Sequence, residues 1–204
     1  MQSPGVVDAG ALVVQIAVFP VKSVAGLLPA AVEVGPEGLE GDRGFVLTAG
    51  GEPLRAKTTP QLRELELSGT PQAPLVSAPG AAPGDLRAVA RFLGVDAPVQ
   101  LHPAPGGARQ VAAVHVVTTA DRDAPGAGDS SRANLLLRPA AAALPPAAEL
   151  AGALLEVGPV LLRLGRPPRH CAGSFAEVLR GGTVRTGDAA RLRTRADGPG
   201  GAPG

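Results

Sequence analysis

Residues 30–49 read AAVEVGPEGLEGDRGFVLTA, two short apolar runs held apart by the glycine-rich cluster GPEGLEGDRG. Valine and phenylalanine alternating with small or polar residues suit strands, and the cluster between them is turn chemistry. Working outward, LVVQIAVF at 12–19 is apolar and β-branched and stops at Pro20, which makes it an opening strand. On the other side GGEP forms another turn, and LRAKTTPQLRELEL places Leu62, Leu65 and Leu67 at core positions. Residues 68–84, rich in Pro, Gly and Ala, read as a flexible connector. The clearest helix follows it, capped by Asp85, with Leu86, Val89, Ala90 and Leu93 on one face and Gly94 at its end. VQLHP and VAAVHVVTT read as strands, DRDAPGAGDS as an exposed loop, and SRANLLLR as the start of another strand. Pro145–Pro146 opens a predicted second helix running to about Leu155 and ended by Gly158–Pro159. Then come a strand VLLRL, the loop GRPPRHCAGS, a helical turn or two in FAEVLR, and a closing strand over Ala189 to Leu192. No βαβ cadence repeats. The fold class expected is therefore β-rich α+β, a β-barrel with a few peripheral helices.

Length and composition narrow the function. The chain has 204 residues, enough for one domain or two small intertwined subdomains, with 45% of residues apolar. Lys and Arg number 19 against 18 Asp and Glu, and all aromatics are Phe, so neither a basic surface nor a stacking platform for nucleic acid is expected. A single cysteine excludes an internal disulfide and any multi-cysteine zinc or iron–sulfur site. No apolar run reaches the ~18 residues of a membrane span, and the first 21 residues lack Lys and Arg, which argues against a secretory signal. A reduced cytoplasm with no membrane partner is the expectation.

Four stretches carry candidate chemistry. In RPPRHCAGS, Arg169 and His170 precede Cys171 and Gly173 lets the chain turn away, so cations are expected to stabilise a nucleophilic or metal-binding thiolate. The alternative is a small buried hydrophobe. FPVKS at 19–23 places Lys22 and Ser23 after a strand, where they suit an anionic group or mere solvation. In GDRGF at 41–45, Asp42 can orient Arg43, whose planar fork suits phosphate, or the two can form a plain surface pair. In SRANLLL at 131–137, Arg132 and Asn134 would lie on one side of a strand. His102 and His115 lack a ligand-spaced partner and read as structural. GPEG, GAPG and PGG do not have the spacing of nucleotide-binding loops.

Taken together, FPVKS, GLEGDRGFVL at 38–47, SRANLLL, and EVGPVLLRL through to RHC at 156–171 resemble the MOSC family, named for the molybdenum-cofactor sulfurase C-terminal domain. RFLGVDAPVQLHP at 91–103 and GGTVRTGDAARL at 181–192 extend the likeness over about residues 12–193, in consistent order. The resemblance is to the subgroup with an N-terminal β-barrel segment, which includes the amidoxime-reducing component. Residues 1–10 and 195–204 read as a disordered leader and tail, since neither can bury enough apolar surface; between them the resemblance implies an N-terminal β segment at 11–69, a connector and helix at 70–110 and a MOSC core at 111–194. It further implies molybdenum cofactor (molybdopterin) bound with Cys171 as metal ligand or sulfur carrier. Lys22, Ser23 and Arg43 would hold the pterin and its phosphate, Arg132 and Asn134 would complete the pocket, and Lys57 and Arg169 would add charge. An oxidoreductase acting on N-oxygenated or similar small substrates, served by an external electron donor, is one implied activity. The alternatives are a sulfur-transfer module bearing a Cys171 persulfide supplied by a sulfur donor protein, and a degenerate structural barrel. Relatives place Arg directly before the cysteine, where this chain has His170. Pyridoxal phosphate belongs to the desulfurase half of full-length sulfurases, and Lys22 and Lys57, the chain's lysines, sit in no motif for it, so that cofactor is not expected.

Overall fold

The computed structural model describes residues 9–104, 112–140 and 147–193. Most of the leader, the tail and the Pro145–Pro146 helix start lie outside the described residues. In chain order the elements begin with strands β1 (Ala9–Ile16), β2 (Ala31–Gly35), β3 (Gly38–Leu39), β4 (Phe45–Ala49) and β5 (Glu52–Pro53). Next come β6 (Glu66–Thr70), β7 (Ala73–Ser77), helix α1 (Leu86–Leu93), β8 (Val99–Pro103), β9 (Val114–Thr118) and helix α2 (Thr119–Asp123). The remainder are β10 (Leu135–Pro139), β11 (Leu154–Val157), β12 (Val160–Leu164), β13 (Ser174–Arg180), β14 (Gly182–Arg185) and β15 (Ala189–Arg193). The chain divides into two compact units. One takes in Met1–Ile16, Ala30–Gly38 and Ala112–Gly204, the other Ala17–Pro29 and Leu39–Val111.

The first unit is a closed barrel of strands in the order β1-β10-β9-β13-β12-β11-β15. Closure removes every free edge from the ring. Its pairs are antiparallel except β9 with β10, which run parallel in the register Leu135 to Val116. A parallel pair needs a crossover rather than a hairpin, and residues 119–134 supply it. That crossover starts with a capping box: Thr118 Oγ1 accepts the Asp121 N–H, and Asp121 caps the Thr118 N–H in return. All of β9 is buried, because Val114, Val116 and Thr118 share one face with the barrel interior while His115 and Val117 occupy the other. On that second face Val117, Ala133, Leu136 and Ala172 form a small apolar cluster with Val14. β14 adds to β2 outside the ring.

The second unit is built from the β5-β4-β8 sheet, the β6-β7 hairpin and α1. Its core gathers Val21, Val24, Leu47, Leu62, Leu65, Val76, Val89, Leu93 and Val99. Asp85 accepts the N–H groups of Arg87 and Ala88, and Gly94 ends α1 at φ 66, as the sequence predicts. Among the described residues no helix is long and apolar enough to cross a membrane.

Four local expectations are corrected. Residues 68–84 are not a plain connector, since β6 and β7 pair from Glu66–Ser77 to Thr70–Ala73. An edge strand tolerates Pro74, and Gly69 at φ 83 takes up the bend. FAEVLR is strand β13, because the β12 and β9 edges satisfy its backbone on both sides. The helix expected up to Leu155 gives way to a short 3-10 turn at Ala147–Glu149 followed by β11, with Gly158–Pro159 turning the β11–β12 hairpin. DRDAPGAGDS starts within α2 instead of being loop throughout.

Candidate functional site

In the second unit, the segments carrying FPVKS and GDRGF are joined backbone to backbone. Arg43 N–H donates to the Phe19 carbonyl, Phe45 N–H to that of Pro20, and Lys22 N–H to that of Phe45, at 2.8, 2.9 and 3.0 Å. Lys22, Ser23 and Arg43 are thereby brought together, with Lys22 exposed and Ser23 half-buried. Ser23 at φ 69 and Arg43 at φ 56 are left-handed, the non-glycine residues in that conformation among those described. Such a conformation persists only where its surroundings enforce it, and it is concentrated at functional sites. At Arg43 the brace is Asp42. Its Oδ1 accepts the Phe19 N–H at 2.7 Å and its Oδ2 accepts Arg43 Nη1 at 2.9 Å. The pair is largely buried, not a surface pair. Burial lowers the Arg43 pKa, while the Asp42 charge and hydrogen bond oppose that shift. Lys57 is exposed in the turn after β5.

The first unit holds the other candidates. Cys171 is half-buried in the loop that enters β13. It bridges Asp129 of the crossover in parallel fashion: Asp129 N–H donates to the His170 carbonyl at 3.1 Å, and Ala172 N–H to that of Asp129 at 3.3 Å. Asp129 itself is shaped by its own side chain, whose Oδ1 accepts the Ser131 N–H at 2.9 Å. The close approach needs Gly128, where a Cβ would lie 2.7 Å from the Cys171 carbonyl carbon. Beyond the cysteine, Gly173 turns at φ 79, and a Cβ there would collide with the Val116 carbonyl oxygen.

The electrostatics of the sulfur differ from the sequence expectation. Burial, and then the Asp129 carboxylate, push the Cys171 thiol above its ordinary range, so the thiol is favoured over the thiolate. Arg169 and His170 are exposed in the bend before it and do not reverse that balance. A neighbour in sequence is thus outweighed by one that the crossover delivers.

Arg132 and Asn134 also differ from expectation, because both precede β10 and lie in the turn that leads into it. Arg132 is half-buried. Asn134 is fully buried, its Oδ1 accepting the His115 N–H at 3.0 Å and its own N–H donating to the His115 carbonyl at 2.8 Å. Asn134 therefore locks the start of β10 to β9. His115, read from sequence as structural, is buried and places Nε2 2.8 Å from the Ala172 carbonyl oxygen. Sequence reasoning missed Gly128 and Asp129, and no local signal in GAGDSS ties them to Cys171.

Inside the barrel, Val116, Leu137, Leu155, Leu164 and Leu192 line a cavity of about 20 Å³ together with Ser174. The Ser174 hydroxyl is buried there without a hydrogen-bond partner among the described residues. Among the described residues no three His, Cys, Asp or Glu side chains group as a metal site. A metal held only by protein side chains therefore does not fit these residues. A metal that brings most of its ligands on an organic molecule and leaves one position for a soft thiolate does fit them.

The sequence profile of the MOSC N-terminal beta barrel domain matches residues 10–109. No curated protein sequence matches the chain. Among solved structures, the YUAD protein from Bacillus subtilis is similar in fold, with a TM-score of 0.50 and 12% sequence identity over 93% of this chain and 99% of that one. The profile match takes in both FPVKS and GDRGF, and the β-rich barrel agrees with it. Through residues 10–109, just under half of its length, this chain is similar to the MOSC N-terminal beta barrel domain.

Proposed function

We propose that the protein binds molybdenum cofactor through the Cys171 thiolate and reduces N-oxygenated or related small molecules in a reduced cytoplasm. The observation that carries this reading is the half-buried Cys171 sulfur on a tightly bonded rim, with no other metal-capable cluster among the described residues. The activity is proposed on the resemblance of the sequence blocks to the amidoxime-reducing subgroup. Bound cofactor would supply two-electron redox chemistry, with electrons coming from a separate donor protein. Reduction of an N-hydroxy group consumes two electrons and two protons and releases water.

The chain's own residues would do three things. Cys171 would give up its proton on ligation, which a metal cation drives even where the free thiol is held protonated. Within the second unit, taken by itself, Arg43, held by Asp42, and Lys22 would present positive charge to an anionic group. Arg132 and Arg169 would add to the charge around the first unit's rim.

The test is metal analysis of protein purified from a host that makes the cofactor. Near-stoichiometric molybdenum in the parent and its loss in Cys171→Ala, with an unchanged unfolding midpoint, would support the reading. Molybdenum retained in Cys171→Ala, or absent from both proteins, would overturn it.

A further inference from the structure

We propose that His115 is a positioning residue for the Cys171 sulfur; the proposal rests on the ligand reading above and adds a second residue to it. His115 is 2% exposed and fixed on three sides. Its backbone exchanges hydrogen bonds with Asn134 in both directions, at 3.0 and 2.8 Å. Its ring packs edge-on against Phe175, with centroids 5.0 Å apart and planes at 63°. A ring so held presents Nε2 to one point, the carbonyl oxygen of Ala172 at 2.8 Å. A carbonyl only accepts, so Nε2 carries the hydrogen and the neutral ring is the Nε2–H tautomer.

Ala172 follows Cys171 directly, and that gives the contact its consequence. The peptide between them is held by its N–H on the Asp129 carbonyl, and the next peptide is held by its carbonyl on His115. With both planes pinned, and with Gly173 turning the chain against Val116, the main chain at Cys171 has one path. The freedom left to the sulfur is rotation about its own side-chain bond. Without the imidazole donor, a buried carbonyl would lack its partner, and the rim would shift to reach water. A ligand atom that is already placed spends less of its binding free energy on ordering. A purely space-filling histidine would be replaceable by any side chain of similar bulk. A positioning histidine is replaceable only by one that can donate at the same point.

The experiment uses the full chain, metal-free, with His115→Leu and His115→Gln. Leu fills space without a donor, and Gln offers an amide N–H at comparable reach. The readout is the rate of Cys171 modification by a neutral haloacetamide, taken beside the unfolding midpoint. The expected result is a change of about fivefold in rate for His115→Leu, the ratio one net hydrogen bond represents, with substantial recovery in His115→Gln. Equal rates in parent and Leu variant, or equal changes in both variants, would overturn the proposal. Should His115→Leu fail to fold, nitrogen-15 spectra of the parent decide the matter: an Nε2–H tautomer supports the proposal and an Nδ1–H tautomer overturns it. Neither readout involves molybdenum, so metal retained in Cys171→Ala would remove the ligand reading and leave the placement of the sulfur standing.

Discussion

Asp42 holds Arg43 at 2.9 Å, and the same carboxylate accepts the Phe19 N–H at 2.7 Å. One side chain thereby fixes a left-handed arginine and the strand end beside it. Removing it strands a largely buried guanidinium and a main-chain donor together. Asp42→Ala is expected to lower stability by about 2–4 kcal/mol, read from urea unfolding of the two proteins. A change within error would mean that water replaces both contacts and that Asp42 is not what holds Arg43 in place.

The Cys171 thiol should titrate above an unfolded cysteine, first because of burial and second because of Asp129. Haloacetamide labelling as a function of pH is expected to give a midpoint higher than that of the denatured chain. Asp129→Asn, which keeps an acceptor for the Ser131 N–H, should bring the midpoint down only part of the way. The sign for stability follows. The unfolded thiol loses its proton first as pH rises, so this group's contribution is intact below the unfolded pKa and declines toward the folded one. A midpoint at or below the unfolded value would contradict the assigned environment.

Gly128 is the point of closest approach between the crossover and the cysteine loop. A methyl group there would stand 2.7 Å from one main-chain atom of Cys171 and 2.9 Å from another. Gly128→Ala is expected to cost about 1–3 kcal/mol and to raise Cys171 labelling at fixed pH. Gly10→Ala, which meets nothing within 4 Å, serves as the control and should change neither quantity. Parallel behaviour of the two variants would show that the loops are not in contact.

Ser174 presents a buried hydroxyl to a barrel cavity lined mainly by Val and Leu. An unpaired hydroxyl in such surroundings is unfavourable by about 1–3 kcal/mol, and removing it relieves that cost. Ser174→Ala should therefore unfold at the same temperature as the parent or a higher one. A clear drop in the midpoint would show that the hydroxyl does have a partner.

The parts of this fold that were legible in sequence are those decided locally. Asp85 and Gly94 bracket α1 because a cap acts within a few residues of itself, and Leu62 and Leu65 are buried as their pattern indicates. Asp42 next to Arg43 could be read as a pair for the same reason. FAEVLR could not be read correctly, because Phe175, Val178 and Leu179 suit a helical face as well as a strand. Only pairing with Leu162 and His115 decides between them. Pro and Gly suggested a connector at 68–84 although both are tolerated in a two-stranded hairpin. At the site, Arg169 and His170 were the visible neighbours of Cys171, whereas Asp129 and His115 reach it by tertiary structure alone.

β1 lies between β10 and β15 in the barrel, so both of its partners are synthesised long after it. During translation that strand must wait with one flank bare until Leu135–Pro139 has left the ribosome, and with the other bare until Ala189–Arg193 has. The pairs β4–β8 and β6–β7 are complete far earlier, once Pro103 has emerged. The nascent protein should thus pass through a half-built stage with an apolar ribbon on offer, the stage at which a chaperone has most to contribute.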